Sequence, residues 1–143
     1  MTAPQRNEVP RRQQKTTRSS QLDLVAWISG ALAVGCALLA IGHLGLEVPL
    51  LSAFGPGGAR PVIPAAIAFG VGAVLQGLVC SGVRRRRTWA WPLGVLVAAI
   101  TLVSAAMPFR GAMSAVGIAL AALQLGLLLT RDARLALLRS PVS

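Results

Sequence analysis

LVAWISGALAVGCALLAIGHLGL, residues 24–46, decides the class of this chain, because its 23 positions hold no charged side chain. A helix rises about 1.5 Å per residue and needs roughly 20 apolar residues to cross about 30 Å of hydrocarbon. This stretch is long enough. Three more occur at Pro61–Val83, Trp89–Met107 and Gly111–Leu129, with 23, 19 and 19 residues and equally free of charge. Between Leu24 and Leu129 the charges are confined to Glu47, Arg60, Arg84–Arg87 and Arg110, all of them between the apolar runs. A soluble domain scatters charge through its helices, so this segregation points to lipid as the solvent. The sequence predicts an all-α polytopic membrane protein, an antiparallel bundle of four transmembrane helices.

The net charge of +10 raises the question of nucleic acid, since clustered Lys and Arg bind phosphate. The placement of the charge answers it. Five basic residues precede the first span, one lies between the first and second, four between the second and third, one between the third and fourth, and three come after the last. With both termini cytoplasmic, 12 of the 14 fall inside, as the positive-inside rule asks. An even number of spans returns the chain to its starting side. We therefore expect an N-in, C-in protein of the plasma membrane, without nucleic acid as a partner.

Residues 1–21 are polar and basic and bury too little apolar surface to offset ordering, so they are expected to be a disordered cytoplasmic tail. Residues 22–130 form the transmembrane domain, and 131–143 a second basic cytoplasmic tail that extends span four or lies along the inner surface. The apolar run of 23 residues exceeds the 7–15 of a signal peptide, so span one should stay uncleaved. The outer loop Glu47–Arg60 carries Pro49, Gly55, Pro56, Gly57 and Gly58 and should be irregular. Spans two and three, and three and four, are close enough in sequence to form tight hairpins.

Ionisable groups inside a membrane are usually functional, and none of the four spans carries an Asp, Glu, Lys or Arg. Proton-coupled export by this chain alone thus lacks its carboxylate. His43 is the one histidine, and about 10 Å of helix separates it from Cys36, too far to share an ion. Cys36 and Cys80 differ in depth by about 13 Å and should not pair. No cofactor, metal site or nucleophile–base pair is expected, and hence no enzyme.

Two polar groupings stand out. Ser29, Gln76 and Gln124 each lie roughly 7–11 Å from the cytoplasmic end of their span, at one level of the inner leaflet. They read as a polar clamp between helices, or as a pocket for a headgroup or small polar ligand. Arg84, Arg85, Arg86 and Arg87, followed by Trp89 and Trp91, read as a cytoplasmic interfacial anchor in contact with anionic lipid. Small residues recur at helical spacing, Ala73, Gly77 and Ser81 in span two and Gly111, Ala115 and Ala119 in span four. They are expected to pack within the molecule first and to form a dimer face second.

The stretch RRRRTWAWPLGVLVAAITLV (84–103), with LAALQLGLLLTRDARLAL (120–137) after it, resembles small multi-span membrane proteins of high-GC bacteria. It is also similar to the membrane modules of bacterial lysyl-phosphatidylglycerol synthases. The soluble aminoacyl-transferase domain of those enzymes has no counterpart here, so the resemblance implies a lipid-handling membrane module and no catalytic residue. The expected function is that of a non-enzymatic accessory or scaffold subunit, engaging anionic inner-leaflet lipid, a membrane-protein partner or a second copy. The alternative is a lipid- or small-molecule-translocating unit working as an oligomer.

Overall fold

The computed structural model describes residues 9–46, 61–107 and 112–138, and among them finds five α-helices and no strand. The helices are α1 (Val9–His43), α2 (Ile63–Arg84), α3 (Ala90–Ala106), α4 (Ala112–Leu129) and α5 (Arg131–Leu138). Residues 47–60, residues 108–111 and the two chain ends lie outside the described residues.

Helix α1 reaches back to Val9, into the segment expected to be disordered. Local chemistry accounts for it. Pro10 sits in the first turn, where a missing N–H does no harm, and the next turns are rich in Arg, Gln and Lys, all good helix formers. The apolar part supplies the nucleus, and extending a helix is far easier than starting one.

Two segments, Ser20–His43 and Ile63–Arg84, are long and apolar enough to cross a membrane. Helix α3 is apolar but has only 17 residues, about 26 Å of rise, because its expected end residues go into turns. Ser114–Leu129 meets the length requirement only together with α5, from which it is bent by 67°. By length and composition, two helices among the described residues could cross a membrane, or three if the bent pair counts as one span.

Helix α1 packs along α2, α3 packs along α4, and α2 touches α3. Val62 N–H donates to the His43 carbonyl at 2.9 Å, tying the end of α1 to the start of α2. Pro64 falls in the first turn of α2, where proline is tolerated. At its other end α2 closes with a Schellman motif: Arg87 N–H donates to Gly82 C=O (2.9 Å) and Arg86 N–H to Val83 C=O (3.0 Å). Arg86 takes the left-handed position at φ 50°, where glycine is usual. The arginine run is therefore the helix stop as well as a block of charge.

The bend between α4 and α5 is built around Thr130. Its hydroxyl donates to Leu127 C=O at 2.7 Å and accepts from Ala133 N–H at 3.4 Å, so one side chain ends α4 and caps α5. Helix α5 is amphipathic, burying Ala133 and Leu137 one turn apart and exposing Arg131 and Arg134. Leu137 and Ala133 join Leu22, Val25, Val79, Val83, Ala90 and Leu128 in a core to which all five helices contribute. That core sits at the arginine-rich end, and α5 closes it from below.

Candidate functional site

Above this core lies a polar layer. Ser29 on α1, Gln76 on α2 and Gln124 on α4 are all completely buried, at 0% exposure. The structure brings these three together. Gln124 Nε2 donates to Ser29 Oγ (2.9 Å) and to Gln76 Oε1 (3.2 Å), and Gln76 Nε2 donates to Gln124 Oε1 (3.4 Å). Ser29 Oγ in turn donates to Val25 C=O at 2.8 Å, four residues back on its own helix.

A fourth member comes from α3. Gln76 Nε2 also donates to Thr101 Oγ1 (3.4 Å), whose hydroxyl donates to Val97 C=O (2.7 Å). Sequence depth alone misses Thr101, which lies about 18 Å from Trp89 by helical rise, well beyond the level of the others. Side-chain direction closes the gap. Every Cβ tilts toward its helix N-terminus, and α2 and α3 run in opposite senses, so Gln76 and Thr101 lean toward each other. The available signal is a hydroxyl residue within the span, where Thr101 and Ser104 are the two such side chains.

Each carboxamide has two N–H donors and a carbonyl with two lone pairs. In both glutamines the two donors and the carbonyl oxygen are engaged within the layer. All four amide N–H donors are thus spent within the layer. In apolar surroundings unsatisfied amides are costly, so a closed ring of this kind fixes which helices meet and at what register.

The basic end carries a different arrangement. The Arg84 guanidinium lies over the Trp27 ring at 5.6 Å from its centroid, linking α2 to α1. Arg134 of α5 lies over Trp91 of α3 at 5.4 Å. Trp91 is half-buried, and its indole N–H donates to Leu128 C=O at 2.9 Å. Carbonyls in the last turn of a helix lack intrahelical partners, so Trp91 caps the end of α4. Trp89 presses its ring edge on Gly82 and stays partly exposed. Arg84, Arg85, Arg86 and Arg87 are all exposed.

His43 donates from Nδ1 to Leu39 C=O at 2.7 Å and packs its ring on Phe69, with centroids 5.1 Å apart. Glu47 lies outside the described residues. Cys36 and Cys80 are free thiols. Each faces a glycine on the opposite helix, Cys36 toward Gly72 and Cys80 toward Gly30, with room there for one methyl group. No group of three or more metal-ligating side chains occurs among the described residues.

The small-residue stripes depart from expectation. Gly77, Ser81, Ala115 and Ala119 are exposed rather than packed within the molecule. Close helix contact is made instead by Gly82 against Trp89 and Ala90, and by Gly94 against Leu128 and Val79. Composition shows that small residues are available, but not which side of the helix they occupy. Comparison with protein-family models, with curated proteins and with solved structures finds no match to this chain.

Proposed function

We propose that this chain is a non-enzymatic integral membrane protein that crosses the plasma membrane four times with both ends cytoplasmic. It acts as an accessory or scaffold subunit, presenting Arg84–Arg87 with Trp89 and Trp91 to anionic inner-leaflet lipid or a membrane partner. The observation that carries this reading is the closed polar layer. Gln76, Gln124 and Ser29 have no solvent-reachable surface and direct their donors to one another, to Thr101 and to Val25. A translocation path through the middle of the helices would need those groups open to a passing headgroup or solute. The arginines, by contrast, are exposed, and each basic residue near an anionic surface contributes about 1 kcal/mol before screening.

The test has two arms. Accessory function is checked by purifying the full chain in mild detergent and identifying what stays bound by mass spectrometry. Recovery of a stoichiometric membrane protein supports the scaffold reading, and ATP- or gradient-driven lipid scrambling by the reconstituted chain alone refutes it. Topology is checked by tagging both termini in intact cells. Labelling of either tag by an impermeant reagent from outside overturns the orientation.

A further inference from the structure

A trough of about 500 Å³ runs along the outside of the α1–α2 pair, lined by Trp27, Gly30, Ala31, Val34, Cys80 and Arg84 among others. Gly30 and Ala31 leave this space open because they carry almost no side chain. Arg84 and Trp27 stand at its mouth, at the basic end, and the trough extends to Val34, about 10 Å further along α1. Among the described residues, no carboxylate lines it.

We propose that this trough is a binding site for one anionic phospholipid, with the phosphate on Arg84 and an acyl chain lying against Gly30, Ala31 and Val34. The site rests on the membrane reading given above and adds to it a particular place and a particular ligand atom. Three features support it. First, the sequence of chemistry along the trough, cation then indole then bare backbone, matches that of a lipid from phosphate through interface to hydrocarbon. Second, the Arg84 guanidinium lies over the Trp27 ring, 5.6 Å from its centroid, so the cation that meets a phosphate is held beside the indole at the mouth of the trough. Arg84 is exposed, so a headgroup can reach it. Third, this cation–π contact restrains the side chain before a lipid arrives, so less rotamer freedom is lost on binding.

The site differs from a general basic surface. Arg85, Arg86 and Arg87 attract anionic headgroups without choosing one, whereas Arg84 alone of the four borders the apolar trough. Occupancy should therefore depend on both ends of the lipid together. Inorganic phosphate satisfies only the mouth and should bind weakly.

The experiment is native mass spectrometry of the detergent-purified full chain with 1-palmitoyl-2-oleoyl-phosphatidylglycerol, the matching phosphatidylcholine, or inorganic phosphate. The wild type should retain one phosphatidylglycerol and little of either other probe. Arg84→Gln should lower that occupancy about tenfold, the loss expected for one charge-assisted bond. Ala31→Phe, at an exposed position where the ring fills the trough without entering the helix interface, should do the same. Arg86→Gln, which lies outside the trough, should change it less than about threefold, the size of a screened surface charge. Equal loss in Arg84→Gln and Arg86→Gln, or no loss with Ala31→Phe, overturns the site while leaving the general affinity for anionic lipid intact. Equal retention of phosphatidylglycerol and phosphatidylcholine by the wild type overturns both. A readout on the unmodified protein guards against misfolded variants: phosphatidylglycerol brominated on its acyl chain should quench the Trp27 share of the fluorescence at one lipid per chain, and absence of quenching refutes the site.

Discussion

The side-chain amides of Gln76 and Gln124 face each other across α2 and α4 as a reciprocal pair, each donating to the other's carbonyl oxygen at 3.4 and 3.2 Å. The two residues are 48 positions apart in sequence and wholly buried. Pairing them fixes the rotation of both helices, since a turn of either by one residue would leave two amides in an apolar environment. Replacing one alone by Met should cost about 1–2 kcal/mol, more than the mean of about 0.6 for a single interhelical bond, because the remaining amide loses its partner. The double variant Q76M/Q124M should cost less than the two single changes added together. Thermal unfolding in detergent, read as a double-mutant cycle, decides it. Strict additivity would mean that the pair carries no coupling.

Gly82 and Gly94 mark the places where the helices come closest. A methyl group on Gly94 would stand 2.9 Å from Leu128 Cδ1 and 3.3 Å from Val79 Cγ1, and one on Gly82 would stand 2.7 Å from Trp89 Cη2. Gly94→Ala and Gly82→Ala should each destabilise by about 1–3 kcal/mol through overpacking. Gly72→Ala meets only the Cys36 sulfur at an ordinary 3.7 Å and should be neutral or stabilising by up to about 1 kcal/mol, from helix propensity. Midpoints of thermal denaturation for the three proteins give the comparison.

Much of this arrangement is legible in the sequence, and the part that is not has a common cause. Charge exclusion locates the apolar helices well, since α2, α3 and α4 begin and end within two residues of the runs 61–83, 89–107 and 111–129. The polar trio is also legible, because depth along a helix can be counted. Rotation about the helix axis cannot be counted in a chain apolar on every side, so the outward position of Gly77 and Ala115 is invisible beforehand. Thr101 escapes because counting gives the depth of the backbone, whereas contact is made by side chains that lean. The bend at Thr130 escapes because a hydroxyl that ends one helix and caps the next reads in sequence as part of a continuous run.

Arg86 sits at φ 50°, a region that costs a residue bearing a Cβ roughly 1–2 kcal/mol relative to glycine. Arg86→Gly should therefore raise the stability of the detergent-solubilised chain by about 1 kcal/mol. The same change removes one positive charge from the 84–87 loop and should weaken general adsorption to vesicles containing phosphatidylglycerol. Opposite signs in the two assays are the expected result. A fall in stability would show that the Arg86 side chain makes contacts that outweigh the strain.

Gln21 buries its Oε1 without a hydrogen-bond partner. An orphaned acceptor of this kind costs about 1–3 kcal/mol, so Gln21→Met, similar in length and apolar, should stabilise the fold by about 1 kcal/mol. Unfolding midpoints read the change, and a loss of stability would mean that a water or lipid group satisfies the oxygen in the membrane.

Trp91 joins three elements at once, and its replacement separates them. The indole N–H caps the Leu128 carbonyl at the end of α4, the ring carries Arg134 of α5, and the residue itself lies in the first turn of α3. Trp91→Phe keeps an aromatic ring but removes the donor, leaving the carbonyl at the bend unpartnered at a cost of about 1 kcal/mol. The cation–π contact also weakens, since Phe is the poorer partner. Both effects fall on α5, which is held at its 67° bend by Thr130, by these two contacts and by the burial of Ala133 and Leu137. The expected outcome is local. Amide hydrogen exchange over residues 131–138 should accelerate by about fivefold, the equivalent of about 1 kcal/mol, while α1 and α2 keep their protection. Uniform acceleration along all the helices would instead make Trp91 part of the global core, and unchanged exchange would leave Thr130 and the buried pair sufficient to hold α5 in place.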